Sequence, residues 1–527
     1  MWEAYEKRRR IYNQLTLFYL YLQKTPMCKI TNLRENPFTR FSAEEDLDIL
    51  EEIFYVPPFY DNLKSLLEGG HSRSILGQRG QGKSVIVYKL KNDLVRCGCL
   101  PLLIDRYDGI PLTKNLQFFL YKITQTITLE LARKIIDKTL YTKDIDKSIL
   151  KKFYILVEMF YDTQWADDFM ESIESIKKKR KFNFIKRIVN TYLFNLINGV
   201  LNSTIQITGE VLRDILMKTS SKGSYNYDEQ RRKLFNGFEI SEFNILKIQD
   251  ANKIEVEEYI RIIKLLLSVV DKTHINSVVV MFDKIDEVHS LNSDVKNVAS
   301  FMEDILTDTS LLYTAKLGIV FTLWTDVKRS LINLGVRFDK FPTIDIRWEN
   351  SDLEKIINKR LLYYSINKES PVTLGSLIPE DITKNSIIDL ADGSPRSLLK
   401  LLCTINGYDG RNNITSFSPE ATSKGMIKFC KDFDFASLCS YKNNTNKKNI
   451  TDWINKLLAI RKDSFLVTEY MSTANVKKPT ALKHIEQLLR FELIKKDSFP
   501  TQEGEDIYRV YDPRIKHLMS RGIMSLD

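Results

Sequence analysis

The stretch Gly77-Gln78-Arg79-Gly80-Gln81-Gly82-Lys83-Ser84 fits the pattern G-x-x-x-x-G-K-[ST] of a phosphate-binding loop. Glycines at such positions let the backbone wrap closely, so that successive N–H groups point at a phosphate. In this pattern Lys83 would reach the β- and γ-phosphates, and the Ser84 hydroxyl would bind Mg²⁺. The stretch therefore predicts that these eight residues bind ATP with Mg²⁺.

The residues on either side of the loop test this interpretation, because the motif is meaningful only between a strand and a helix. Ser74-Ile75-Leu76 suits a buried strand. The residues from Val85 to Val95 can continue as a helix whose positive end faces the anion. A chance match in a glycine-rich turn is the alternative, and these flanks argue against it.

A second strand ending in a carboxylate is expected in such a core, and Val278-Val279-Val280-Met281-Phe282-Asp283 provides it. A β-branched run of this kind is typical of a strand buried on both faces of a parallel sheet. Asp283 would hold the Mg²⁺ water shell beside Ser84. Either Asp286 or Glu287 could orient the attacking water and accept its proton. The alternative is a buried strand that merely ends in an acidic loop.

The length of 527 residues exceeds one compact core, so we expect several domains. A net charge of +10 weakly favours a polyanionic partner. Six scattered cysteines lack zinc spacing and suit a reducing compartment. Charged residues precede any apolar stretch at the N-terminus, and the most apolar later stretch contains several Asn residues. We therefore expect a cytoplasmic protein without a membrane span or signal peptide.

Strands alternating with helices predict an α/β fold with a parallel sheet. Further strands are expected at Leu100 to Asp105, Leu317 to Trp324 and Thr343 to Trp348. A helical region too long for an ordinary connection separates two parts of this core. The predicted domains are an N-terminal helix at 1–35, the core at 36–111 and 273–349, a helical insertion at 112–272, a helical lid at 350–443 and a winged helix-turn-helix at 444–527.

The last block has the order helix, helix, helix, strand, strand, preceded by a polar stretch at 443–449 that we expect to be a linker. One helix face carries basic candidates for contact with double-stranded DNA: Lys477, Lys478, Lys483, His484 and Arg490. An acidic loop at 503–506 lies where a wing would approach phosphate, so contact with protein only is the alternative. The basic run Lys177 to Lys181 is a rival DNA surface or a solvated helix face.

The assembled pattern resembles the AAA+-related P-loop ATPases of the initiator and STAND-like group. The residues that carry the resemblance are Asn36-Pro37-Phe38, Ala43-Glu44, Phe54, Val56, Gly77 to Ser84, Phe282 to Glu287 and Gly393-Ser394-Pro395-Arg396. The resemblance implies a P-loop AAA+-like sheet and an ATP-driven switch. It also implies coupling to homo-oligomerisation, DNA and an effector protein, often in defence or DNA-maintenance modules.

The resemblance also suggests roles for two arginines outside the loop. Arg396 would be the lid arginine that senses the γ-phosphate, and the alternative is that it only caps or pairs on the lid surface. Arg329 would be the finger contributed to a neighbouring subunit. The chain departs from initiator-type ATPases at Lys284, where they place Glu directly after the strand-end Asp. Hydrolysis is therefore expected to be slow or stimulated by a partner.

Three functions remain open at the level of sequence. The first is an ATPase switch that acts on DNA with an effector. The second is a scaffold that binds ATP without hydrolysing it. The third is a transcription regulator in which the winged helix dominates.

Overall fold

The structure is a computed structural model. It describes residues 29–136, 248–292, 294–438, 444–501 and 504–526, with the short stretches 139–140, 144–146, 149–150, 152–153, 156 and 160. Residues 1–28 of the predicted N-terminal helix, most of the predicted insertion and the basic run Lys177 to Lys181 lie outside the described residues. The described end of that predicted helix, 29–35, forms turns and two isolated β-bridges at Ile30 and Leu33 instead, so the helix prediction is wrong there. Among the described helices, none is long and apolar enough to cross a membrane.

The described strands and helices follow in chain order. The strands are β1 (Arg73–Leu76), β2 (Leu100–Ile104), β3 (Val278–Phe282), β4 (Leu317–Leu323), β5 (Thr343–Asp345), β6 (Ser464–Leu466), β7 (Ile494–Lys496) and β8 (Ile507–Val510). The α-helices are α1 (Leu50–Ile53), α2 (Tyr60–Glu68), α3 (Lys83–Arg96), α4 (Leu116–Ile136), α5 (Val256–Asp271), α6 (Val295–Thr307), α7 (Thr309–Leu312), α8 (Val327–Asn333), α9 (Asn350–Tyr364), α10 (Leu374–Leu377), α11 (Asp381–Ala391), α12 (Pro395–Tyr408), α13 (Pro419–Asp432), α14 (Asn444–Ile460), α15 (Val467–Ala474), α16 (Lys478–Arg490) and α17 (Pro513–Ser520).

The described parts of the chain divide into two compact units. The sheet unit comprises the described residues within Pro57–Gln78 and Ile86–Ile346. The lid unit comprises the described residues within Met1–Val56, Arg79–Val85 and Arg347–Asp527. The boundary falls inside the phosphate-binding loop, after Gln78, and again within the first turn of α3.

A five-stranded parallel sheet in the order β2-β3-β4-β1-β5 forms the centre of the sheet unit. Because all five strands are parallel, their carboxyl ends meet at one edge. All residues of β3 and β4 are buried, as their apolar composition predicts for strands covered on both faces. Phe282 of β3 stacks on Phe321 of β4, with ring centroids 5.0 Å apart, and this contact stabilises the pairing of the two strands near their carboxyl ends.

The lid unit combines a helical layer with a small antiparallel sheet. Helices α9 to α13 share one apolar core with α14 to α16. Strands β6, β8 and β7 pair in that order, and α15 and α16 lie between β6 and β7 in the chain. This is the arrangement of a winged helix, with the predicted hairpin formed by β7 and β8.

The expected fold class, an α/β P-loop core with a helical lid and a C-terminal winged helix, is confirmed. The expected linker at 443–449 is wrong for most of its length, because α14 begins at Asn444. The apolar residues further along α14 explain why the polar stretch is helical. Ile450, Ile454 and Leu457 recur at helical spacing and are buried, so tertiary packing extends the helix back into a polar stretch.

Candidate nucleotide-binding site

The phosphate-binding loop follows β1 and leads directly into α3, which begins at Lys83. Gly80 and Gly82 have φ angles of +80° and +89°, a region that favours glycine. These angles let the backbone turn sharply before the helix, and the N–H groups of a helix's first turn together with the helix dipole favour an anion. Lys83 is 9% exposed and opens the helix, as the motif predicts.

The first residues of the loop are fixed to the end of β4 within the sheet unit. The backbone N–H of Gly77 donates to the carbonyl of Leu323 at 3.1 Å. The Gln78 side chain donates from Nε2 to Oδ1 of Asp326 at 3.0 Å. Gly77 and Gln78 are therefore held beside the end of β4.

Asp283 follows β3 and is 1% exposed. Its Oδ1 accepts a hydrogen bond from Oγ1 of Thr322 at 2.5 Å, whereas its Oδ2 is buried without a hydrogen-bond partner in the described residues. A buried carboxylate oxygen without a donor is costly, and a cation or its bound water would satisfy it. The carboxylate thus fits the predicted role in holding Mg²⁺, for which oxygen ligands are preferred.

Tyr107 supports the backbone at this point. Its hydroxyl donates to the carbonyl of Asp283 at 2.7 Å. Burial, and then the negative charge of Asp283, raise the pKa of Tyr107 well above its usual range. The phenol therefore remains a protonated donor and helps to keep the strand end in place.

The two candidate bases differ in their surroundings. Asp286 is 6% exposed, whereas the neighbouring Glu287 is exposed, and both belong to a single turn of 3₁₀ helix at Ile285–Glu287. This turn begins after Lys284, whose φ of +59° is left-handed and whose Nζ lies 4.0 Å from Oδ2 of Asp105. The lysine that replaces the expected glutamate is thus directed to the end of β2.

The rest of the loop contacts the start of α12 within the lid unit. A Cβ atom placed on Gly80 would lie 2.6 Å from Oγ of Ser394 and 3.1 Å from Cβ of Arg396. The N–H of Arg396 donates to the carbonyl of Gly80 at 3.4 Å, and its exposed side chain donates from Nε to the carbonyl of Phe41 at 2.9 Å. The structure therefore brings the predicted lid arginine next to the loop.

Trp348 also contacts the phosphate-binding loop, a role that the sequence interpretation missed. Its Nε1 donates to the carbonyl of Gln81 at 2.9 Å. Its ring lies 6.1 Å from that of Tyr55, whose hydroxyl donates to Asp352 at 2.8 Å. A tryptophan in an otherwise polar stretch after β5 is the one feature that could have pointed to it.

The remaining predicted residues lie away from these contacts. Arg329 is exposed on α8 in the sheet unit, where an intermolecular role would require it to be accessible. Lys477, Lys478 and Lys483 are exposed at or near the start of α16 and form no ion pair within the described ranges. Arg490 is exposed at the last turn of that helix.

His484 does not belong to the exposed basic face, which corrects the sequence interpretation. It is partly buried, its ring lies 5.5 Å from that of Trp453, and its Nδ1 lies 3.3 Å from the hydroxyl of Tyr470. Burial, and then the positive charge of Lys456, lower the pKa of His484. The imidazole is therefore neutral near pH 7 and adds no positive charge to α16.

Solved structures align with most of this chain at low similarity. The Aeropyrum pernix ORC2 protein in its ADPNP-ADP complexes is 11% identical, with 95% of this chain and 98% of that chain covered and a TM-score of 0.37. The Aeropyrum pernix ORC1 protein in complex with DNA is 9% identical, with 90% and 96% covered and a TM-score of 0.36. Drosophila ORC bound to DNA is 10% identical, with 91% and 92% covered and a TM-score of 0.29.

No family model and no curated protein matches the chain. At the TM-scores above, the structural likeness decides neither the fold nor the function. The fold class rests instead on the strand order of this chain and on the position of its phosphate-binding loop between β1 and α3.

Proposed function

We propose that this protein is an ATP-binding and ATP-hydrolysing molecular switch that acts with double-stranded DNA and an effector protein. The observation that carries the proposal is the edge of the parallel sheet. There β1 leads into a glycine-rich loop with two left-handed glycines, and β3 ends at a buried Asp283 with one oxygen lacking a hydrogen bond in the described residues. ATP hydrolysis requires a loop that binds the phosphates and a nearby carboxylate that holds Mg²⁺, and these two elements would provide them.

Each residue of the site has a distinct role in this proposal. Backbone N–H groups of the loop and the ammonium of Lys83 would bind the phosphates. Ser84 and Asp283 are the residues that would hold Mg²⁺, which when bound neutralises charge on the phosphates. Asp286 or Glu287 would orient water, and Arg396 would sense the γ-phosphate from the lid.

The DNA part of the proposal has support of its own. Three exposed lysines at the start of α16, Lys477, Lys478 and Lys483, present charge to a phosphate backbone. The effector, homo-oligomerisation through Arg329 and a defence or DNA-maintenance setting rest on the resemblance alone. Proteins that co-purify with the full chain in the presence of ATP would identify the effector.

Calorimetry with ATP and Mg²⁺ tests the central claim. Lys83→Ala should weaken ATP binding by about 10- to 100-fold, because a charge-assisted contact contributes about 1.5–3 kcal/mol. Lys91→Ala, which removes an exposed lysine from the same helix, should leave the affinity unchanged. Equal affinity in the Lys83 variant and the parent would contradict the assignment.

Phosphate release measured with and without duplex DNA then distinguishes the three functions. Turnover that rises with DNA supports the switch. Tight ATP binding without turnover under either condition would favour the scaffold. A sequence-selective footprint that is independent of ATP would favour the transcription regulator.

A further inference from the structure

A buried arginine connects the last described helix of the winged helix to the lid. Arg514 lies in the first turn of α17 and is 2% exposed. Its Nη2 donates to Oδ2 of Asp392 at 2.8 Å, and its guanidinium also bonds the carboxylate of Asp512. Its Cζ lies 3.9 Å from the ring centroid of Phe433. Because a buried guanidinium is costly without partners, these contacts fix where α17 docks.

Asp392 is the C-cap residue directly after α11, and its φ of +51° is left-handed. Gly393 follows, and Ser394 then caps α12 by accepting a hydrogen bond from the N–H of Ser397. Arg514 therefore binds the first residue of the tight turn 392–396 between two lid helices.

The other end of the same turn touches the phosphate-binding loop. Ser394 and Arg396 approach Gly80 so closely that no Cβ fits there, and Arg396 donates its N–H to the Gly80 carbonyl. Packed atoms at such distances cannot move independently. A displacement of the loop around Gly80 must therefore shift the turn 392–396 or break these contacts.

We propose that the Arg514–Asp392 pair couples nucleotide binding at the loop to the docking of α17, and thus to the winged helix. This inference rests on the proposed function, because the loop must bind a nucleotide. Asp392 acts here as a positioning residue that passes the state of the turn to Arg514. Couplings of this kind change equilibrium constants by about 5- to 150-fold.

Hydrogen exchange of the α17 amides in the full chain tests the coupling, with the non-hydrolysable ADPNP and Mg²⁺ as the probe. In the parent, saturating ADPNP should change α17 exchange by about fivefold or more. In Asp392→Asn, ADPNP should still change the exchange of amides in the turn 392–396, but it should no longer change the exchange of the α17 amides. Asparagine tolerates the left-handed backbone, so this variant removes the charge without straining the turn. Asp392→Glu should recover part of the response.

Asp389→Asn is the matched control. It makes the same charge change three residues earlier, in the last turn of α11, but Asp389 accepts a hydrogen bond from Asn350 on α9 rather than from α17. It should respond as the parent does.

Calorimetry with ADPNP separates the failure of this inference from that of the proposed function. A parent that binds ADPNP without any change in α17 exchange would overturn the coupling and leave nucleotide binding intact. A full α17 response in Asp392→Asn would mean that the pair is only structural. A parent that does not bind ADPNP would overturn both.

Discussion

Thr322 donates a hydrogen bond from Oγ1 to Oδ1 of Asp283, and so holds the carboxylate that ends β3 from the neighbouring strand β4. The other oxygen of Asp283 is buried and has no hydrogen-bond partner in the described part of the chain. One oxygen is therefore fixed by the fold, and the other is directed to a partner that these residues do not provide. A cation with its water shell would meet that need, as the proposed role of Asp283 in holding Mg²⁺ requires.

Thr322→Val should weaken Mg²⁺-dependent ATP binding by about tenfold. Valine keeps the shape of the side chain but removes the donor, so Oδ1 of a buried carboxylate loses its hydrogen bond. Such a loss costs about 1–3 kcal/mol, which should also lower the free energy of unfolding. Calorimetry at several Mg²⁺ concentrations and urea unfolding measure the two effects.

Thr322→Ser is the control for this change, because it retains the hydroxyl and removes only a methyl group. It should bind ATP almost as the parent does. If valine and serine weaken Mg²⁺-dependent binding equally, then the hydroxyl does not position Asp283.

Gly80→Ala should be more damaging than Gly82→Ala, although both positions have a positive φ. A Cβ on Gly82 would meet no atom within 4 Å, so alanine there adds only backbone strain of about 1–2 kcal/mol. A Cβ on Gly80 would in addition collide with Ser394 at 2.6 Å. Thermal unfolding and calorimetry with ATP, carried out on both Gly80→Ala and Gly82→Ala, measure this difference.

A double-mutant cycle tests whether this collision is the cause. Ser394→Ala alone should cost about 0.5–2 kcal/mol through loss of the α12 cap. Combined with Gly80→Ala it should cost less than the sum of the two, because the clashing oxygen is gone. Additive losses would show that the loop and the lid turn are not in contact in solution.

Asp286→Asn and Glu287→Gln should separate ATP binding from hydrolysis. One of the two carboxylates is expected to orient and deprotonate the attacking water. Its neutral variant should hydrolyse ATP about 10²- to 10⁴-fold more slowly, with little change in ATP affinity. The other residue should affect turnover weakly. Single-turnover kinetics decide between the buried and the exposed carboxylate, and normal rates in both variants would place the base elsewhere.

The elements that could be predicted from the sequence are those where local pattern and burial agree. The β-branched run before Asp283 and the glycine spacing from Gly77 each specify one backbone geometry, and both appear where expected. The helix start at Pro395 was likewise predictable, since Ser394 and proline are typical of the first turn.

The missed contacts join residues that are distant in sequence. Thr322 is a hydroxyl in an apolar strand, and nothing local shows that its neighbour across the sheet is Asp283, 39 residues away. Trp348 and Gln81 are 267 residues apart, so their hydrogen bond depends on the tertiary fold. His484 was misplaced because helical spacing shows which residues share a face, but not that Trp453 of α14 covers one of them.

Changing Lys477, Lys478 and Lys483 to Glu should strongly weaken binding of double-stranded DNA. These lysines are exposed and free of ion pairs in the described ranges, so they can release counterions from phosphates. Each lost phosphate contact should also reduce the dependence of log affinity on log salt by about one unit. Fluorescence anisotropy with one duplex at several salt concentrations measures both effects.

The wing should contribute less to this binding than α16. Two of the three basic residues on β7 and β8 are already paired, Lys496 with Asp506 at 2.7 Å and Arg509 with Asp497 at 3.1 Å, so phosphate would have to compete with carboxylates there. The third, Lys495, lies over the ring of Tyr511. Lys400, Lys424 and Lys428 changed together to Glu on α12 and α13 give the same change in net charge and should have a much smaller effect. Equal losses in the two triple variants would mean that DNA binds through overall charge rather than through α16. Absence of duplex binding by the parent at low salt would instead make α16 a surface for protein contact.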